Sequence, residues 1–124
     1  MNRNSLLAAA LRASDNRPSP KVVQLLSQTR LVVNRGSNDG IREGQHVIVY
    51  AMGDELFDPD SKESLGQVEL IKGKAKVVHL QDKIATVENL ERTKRDSFNL
   101  LGPTTQEVVT PFHNAEVGDL VRFL

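Results

Sequence analysis

Three glycines spaced four apart, Gly36, Gly40 and Gly44, punctuate the stretch NRGSNDGIREGQHVIVY at residues 34–50. A glycine-rich loop holds a phosphate when its amides open a helix, as in the Gly-x-x-x-x-Gly-Lys-Ser/Thr pattern. Here Ile41 to Gly44 is too short for a helix, and Val47 to Tyr50 reads as strand, so a phosphate loop does not fit. A calcium loop needs oxygen ligands at alternate positions and a distant bidentate Glu. Asn34, Ser37, Asn38 and Asp39 supply oxygens, but Arg35 intrudes and the alternation is missing. The glycines read instead as a corner. They permit positive φ, while Asn38 and Asp39 bond back to nearby amides. A second corner is expected at Gly118, because REGQHVIV (42–49) and EVGDLVRF (116–123) echo each other.

The other chemical groups are weaker. GDELFDPD gathers Asp54, Glu55, Asp58 and Asp60, yet acid–base work needs a pocket to shift carboxylate pKa values, and this segment reads as a solvated turn. His46, His79 and His113 carry no zinc spacing. No serine or threonine sits in a nucleophile elbow. No catalytic, cofactor or metal residue is assigned, and no enzyme is expected. KGKAK puts Lys72, Lys74 and Lys76 at alternate positions, on one face of a strand. With Arg92, Lys94 and Arg95 they form a candidate basic patch for single-stranded nucleic acid, although no aromatic residue interleaves with the lysines to stack bases.

The elements that must position these groups are strands. Hydrophobic residues make up 39% and charged residues 26%, which is globular, and one tyrosine and four phenylalanines leave the core to Val, Leu and Ile. Sixteen basic residues balance sixteen acidic ones, so no global field draws the chain to nucleic acid or an anionic membrane. No apolar run approaches the roughly 18 residues of a membrane span. Cysteine is absent, which excludes disulfides.

Residues 1–20 stand apart as a helical arm and an extended connector. Asn4 or Ser5 caps a helix to about Ser14, and Pro18 and Pro20 stop it. Leu6, Leu7, Ala10 and Leu11 share one helix face, a candidate partner-binding stripe. The same LLAAAL is shorter than a signal-peptide apolar core of about 7 residues or more, so a cytoplasmic place is expected over a periplasmic one.

Residues 21–124 read as a single β domain. A hairpin spans 21–34, strands follow at 46–50 and 65–80, the latter bent at Gly73, and further strands come at 83–88 and in GDLVRFL. Residues 89–111 read as a long polar loop. The expected fold is all-β, a small partly closed antiparallel barrel of about six or seven strands with a short helical arm. Val22, Val32, Ile48, Val68, Leu70, Val77, Ile84, Val87, Leu120 and Val121 are expected to fill its core.

VVNRGSNDGIREGQHVIVY, DPDSKESLGQVELIKGKAKVVHLQDKIATVE and PFHNAEVGDLVR together resemble the C-terminal domain of bacterial flagellar assembly protein T and its small uncharacterised relatives. The resemblance covers residues 21–90 and 111–124. It implies a small β-barrel without catalytic residues, in a protein that helps assemble a ring around the flagellar basal body. The expected function is therefore a non-enzymatic interaction or assembly module that self-associates or binds a protein partner. The alternative is a nucleic-acid-binding small barrel using the basic strand face.

Overall fold

A computed structural model describes residues 17–124, so the expected helical arm lies outside the described residues. Runs that each carry β-branched residues make eight antiparallel strands: β1 (Val22–Leu25), β2 (Arg30–Val33), β3 (His46–Phe57), β4 (Ser64–Leu80), β5 (Ala85–Asn89), β6 (Arg92–Asn99), β7 (Gly102–Val109) and β8 (Leu120–Phe123). Six form one sheet in the order β1-β2-β5-β4-β3-β8, and β6 and β7 form a separate two-stranded ribbon. The sheet is not closed into a barrel. Its edge strands meet at one isolated bridge, Lys21 to Leu120, where the Val22 amide donates to the Asp119 carbonyl and the Val121 amide to the Pro20 carbonyl, both at 2.9 Å.

Residues 92–109, expected within a loop, are instead the β6–β7 ribbon, paired without a bulge from Arg92–Val109 to Asn99–Gly102. Polarity misled the sequence reading, because a ribbon with both faces in solvent shows no apolar alternation. Thr93, Ser97, Thr104 and Thr105 fit its pleat, and Pro103 sits near the start of an edge strand, where a missing amide is tolerated.

One face of the six-stranded sheet carries the core, which includes Val22, Leu31, Val33, Val47, Val49, Val77, Val87, Phe112 and Val121. Of the ten expected core residues, Val22, Val32, Val77, Val87 and Val121 are buried and Ile48, Ile84 and Leu120 partly so, whereas Val68 and Leu70 are exposed. The exposure follows from strand length. β3 has 12 residues and β4 has 17, against four or five in the other strands of the sheet, so the far half of the β3–β4 ribbon outruns its neighbours.

The glycine corners hold in two different ways. Gly40, Gly44 and Gly118 have φ of 80°, 84° and 97°, the left-handed region that disfavours a Cβ. Gly36 has φ −143°, and the need there is space: a Cβ would lie 2.3 Å from the Gln81 carbonyl oxygen. Between Gly36 and Gly40 the chain makes a 3₁₀ turn, Ser37–Asp39.

Gly73 lies beside a bulge, because Val49 pairs with Gly73 but Tyr50 pairs with Ile71, leaving Lys72 without a β3 partner. Phe112 packs over it, and a Cβ on Gly73 would meet the ring at 2.7 Å. Gly73→Ala is expected to cost about 1–3 kcal/mol by overpacking. In urea denaturation the double variant Gly73→Ala/Phe112→Leu should lose less than the sum of its singles, and strict additivity would contradict the contact.

Candidate functional site

The candidate basic patch is taken apart by the same bulge. Lys72 turns toward the segment after the β6–β7 ribbon, where its Nζ donates to the Asn114 carbonyl at 2.7 Å and lies 3.7 Å from Asp119 Oδ2. These two side chains are only 11% and 7% exposed, so Lys72 is spent on structure. Lys74 and Lys76 stay on the outer face opposite Ile48 and His46, with no ion pair among the described residues. Arg92 turns back to donate to the Asn89 carbonyl at 2.8 Å and lies 3.6 Å from Glu88, which also holds Arg30 at 2.7 Å. Lys94 and Arg95 are neighbours on β6 opposite Glu107 and Gln106, so their side chains leave opposite faces. The six cations therefore do not share one surface. Tyr50 is covered by the Arg122 guanidinium at 4.8 Å from its ring centre, and that guanidinium also binds Glu69.

The carboxylate segment forms a turn. Asp58 Oδ1 accepts the amides of Asp60 and Ser61 at 2.8 and 3.0 Å, and these bonds hold its carboxyl below the usual range. Glu55 accepts the Ser64 hydroxyl, while Asp54 and Asp60 are exposed. His46, His79 and His113 are exposed on β3, on β4 and after β7, and among the described residues no three metal-ligating side chains converge. No helix among the described residues is long and apolar enough to cross a membrane.

The stripe Leu6, Leu7, Ala10 and Leu11 lies outside the described residues, but the connector behind it is anchored. Arg17 binds Asp39 at 2.6 Å, and buried Arg35 donates to the Pro18 and Asn34 carbonyls at 2.5 and 3.0 Å. Asp39 also accepts the Gly36 amide at 3.0 Å, and that bond, ahead of Arg17, lowers its pKa.

What the sequence reading missed is apolar surface. On the far β3–β4 ribbon, Ala51 pairs with Leu70, and Val68 and Leu70 lie beside Gly53 on the side that carries Val47 and Val49 in the core. The core-facing stripe thus runs out into solvent. On the β6–β7 ribbon the loop residues are Leu100 and Leu101, 105% and 95% exposed, with Phe98 82% exposed beside them. Two-residue hairpin loops usually take Gly, Asn or Asp, so turn chemistry does not account for this pair of leucines. At the base of that ribbon lies a groove of about 490 Å³ between the β1–β2 turn and the returning chain, lined by Leu25, Leu26, Leu31, Pro111, Phe112 and Ala115, with Ser27, Gln28 and Asn114 at its polar positions. FNLLG inside a polar stretch was the one signal in the sequence that could have located the tip.

The sequence matches no protein-family model and no curated protein.

Two predictions follow the geometry. Lys72→Ala is expected to cost about 1–3 kcal/mol by removing the donor to the Asn114 carbonyl and the cation nearest Asp119, while Lys74→Ala stays within about 0.5 kcal/mol as a surface change. Equal losses in urea denaturation would contradict the division of labour among the lysines. Asp39 has a folded pKa below its ordinary 3.8, so its contribution is complete above that value and is lost as pH falls through the folded pKa. Asp39→Ala should therefore destabilise at pH 7 and flatten the acid limb of stability against pH. An unchanged acid limb would remove Asp39 from that role.

Proposed function

We propose that the chain is a non-enzymatic assembly module that associates with copies of itself through its projecting ribbons. The observation that carries this reading is the core-facing stripe of β3 and β4 continuing past the core as exposed Val68 and Leu70, beside Ala51 and Gly53. A ribbon of this kind is costly to leave in water, at about 25 cal/mol per Å² of apolar surface, and its unpaired edges offer backbone groups to another strand. Equal numbers of acidic and basic residues leave no net repulsion between copies. The resemblance to the flagellar assembly protein T domain points the same way, toward a barrel-like module in a larger protein assembly, and the Lys21–Leu120 bridge supports reading the sheet as a partly closed barrel.

The second reading, a nucleic-acid surface, rests on Lys74 and Lys76, which keep their ammonium groups unpaired on the outer face among the described residues. The two readings separate in solution. Light scattering is expected to give a mass above the 13.7 kDa of one chain, with dissociation on dilution. Val68→Glu/Leu70→Glu should shift the mass toward a single chain while leaving the melting temperature nearly unchanged, because both sites are exposed. A wild-type mass of one chain at every concentration, combined with salt-sensitive binding of labelled single-stranded DNA, would replace the first reading with the second.

A further inference from the structure

We infer that the acidic tip of the β3–β4 ribbon seats on the outer face of the six-stranded sheet in a second copy of the chain. This rests on the self-association proposed above and assigns its contact. The end of the ribbon, residues 54–63, gathers Asp54, Glu55, Asp58, Asp60 and Glu63 against Lys62 alone. None of these carboxylates enters an ion pair among the described residues, and the Lys62 ammonium donates to the Pro59 carbonyl at 2.9 Å. Leu56, Phe57 and Leu65 are exposed beside them, so the tip is anionic and apolar at once.

The outer face is its complement. In one row across the sheet Arg122, Ile48 and Lys74 lie side by side on β8, β3 and β4. In the next, His46, Lys76, Glu88 and Arg30 lie side by side on β3, β4, β5 and β2. Directly opposed residues of antiparallel strands share a face, and the β3–β4 ladder is unbroken from His46 to Val49, so both rows stand on one surface. Glu69 holds Arg122 and Glu88 holds Arg30, whereas Lys74 and Lys76 have no carboxylate within ion-pair reach among the described residues. Positive charge is left in excess around partly exposed Ile48 and Tyr50. Opposite charges across an interface steer the encounter and set its register, and apolar contact between the charges adds affinity.

The chain does not bring its own tip to this face. β3 and β4 lead from the face out to the tip and pair with each other along the way, and the nine residues from Ile48 to Phe57 span about 30 Å at the rise of an antiparallel strand. The ribbon would have to double back on itself. A second copy has no such constraint.

Tip and face are separate surfaces, so each can be neutralised while the other stays intact. Asp54→Asn/Asp60→Asn/Glu63→Gln removes charge from the tip without touching Asp58, whose carboxylate holds the turn. Lys74→Gln/Lys76→Gln removes charge from the face. By light scattering each variant alone should fall toward the 13.7 kDa of one chain, with a melting temperature near that of the wild type. An equimolar mixture of the two should recover a pair of chains, because it supplies one intact tip and one intact face. A mixture that stays at the mass of one chain overturns the inference, and so does a loss of mass confined to the lysine variant. The wild type gives a second reading: its mass should fall as sodium chloride rises from about 0.05 to about 0.5 M, since screening weakens exposed charge pairs. A mass indifferent to salt overturns the contact. If the wild type associates but neither variant alters its mass, this contact is wrong and the self-association stands. A wild type that never exceeds one chain removes both.

Discussion

The chain returns to its sheet at Phe112. After β5 it leaves the core for the β6–β7 ribbon, and it must come back before β8 can pair with β3. The return is fixed by one ring laid over Gly73, the Phe112 amide donating to the Gln28 carbonyl at 2.8 Å, and the His113 amide donating to the Lys72 carbonyl at 2.7 Å. Asn89 braces the departure, with Nδ2 on the Thr110 carbonyl at 2.9 Å and Oδ1 accepting the Glu91 amide at 3.2 Å. The hydrophobic free energy of one buried aromatic thus anchors a ribbon that has no core of its own. Without that anchor the ribbon would have only its own ladder, and an isolated two-stranded hairpin is marginal in water.

Unequal strand lengths impose the second constraint. Only the near halves of β3 and β4 find neighbours in β8 and β5, so the far halves pair only with each other. Bulges between Met52 and Glu55 and between Leu56 and Phe57 interrupt that ladder. Bulges blunt an edge by twisting it, and the exposed charges on this ribbon further discourage indiscriminate pairing. The surface left over is partly apolar, and its ladder is irregular.

The near half of the sheet was legible because it is buried on one face. β1, β2 and β8 fall within the expected strand runs, and β5 runs one residue past its expected end, to Asn89. The bend at Gly73 was legible for the same reason, as glycine in a strand signals a close approach. Val68 and Leu70 were misjudged although they do lie on the core-facing side. Alternation reports which side of a strand a residue takes, but it carries no information on whether a second layer covers that side. The lysines failed for a related reason. An even spacing of two puts Lys72, Lys74 and Lys76 on one face only if the pleat is unbroken, and the bulge at Lys72 breaks it.

The β6–β7 ribbon shows where a single-chain reading of pattern stops. Its residues satisfy neither a core nor a loop: they are polar where a strand should be apolar, and apolar at Leu100 and Leu101 where a turn should be polar. Both departures have one physical account if the ribbon is half of a contact. Its faces stay wet, while its tip carries large apolar residues of the kind that a contact would cover. The groove beside Phe112 is a further departure, apolar side chains at the sheet end that the chain itself leaves open. The residue that anchors the ribbon to the core is also a wall of that groove, so folding the ribbon's base also builds the groove.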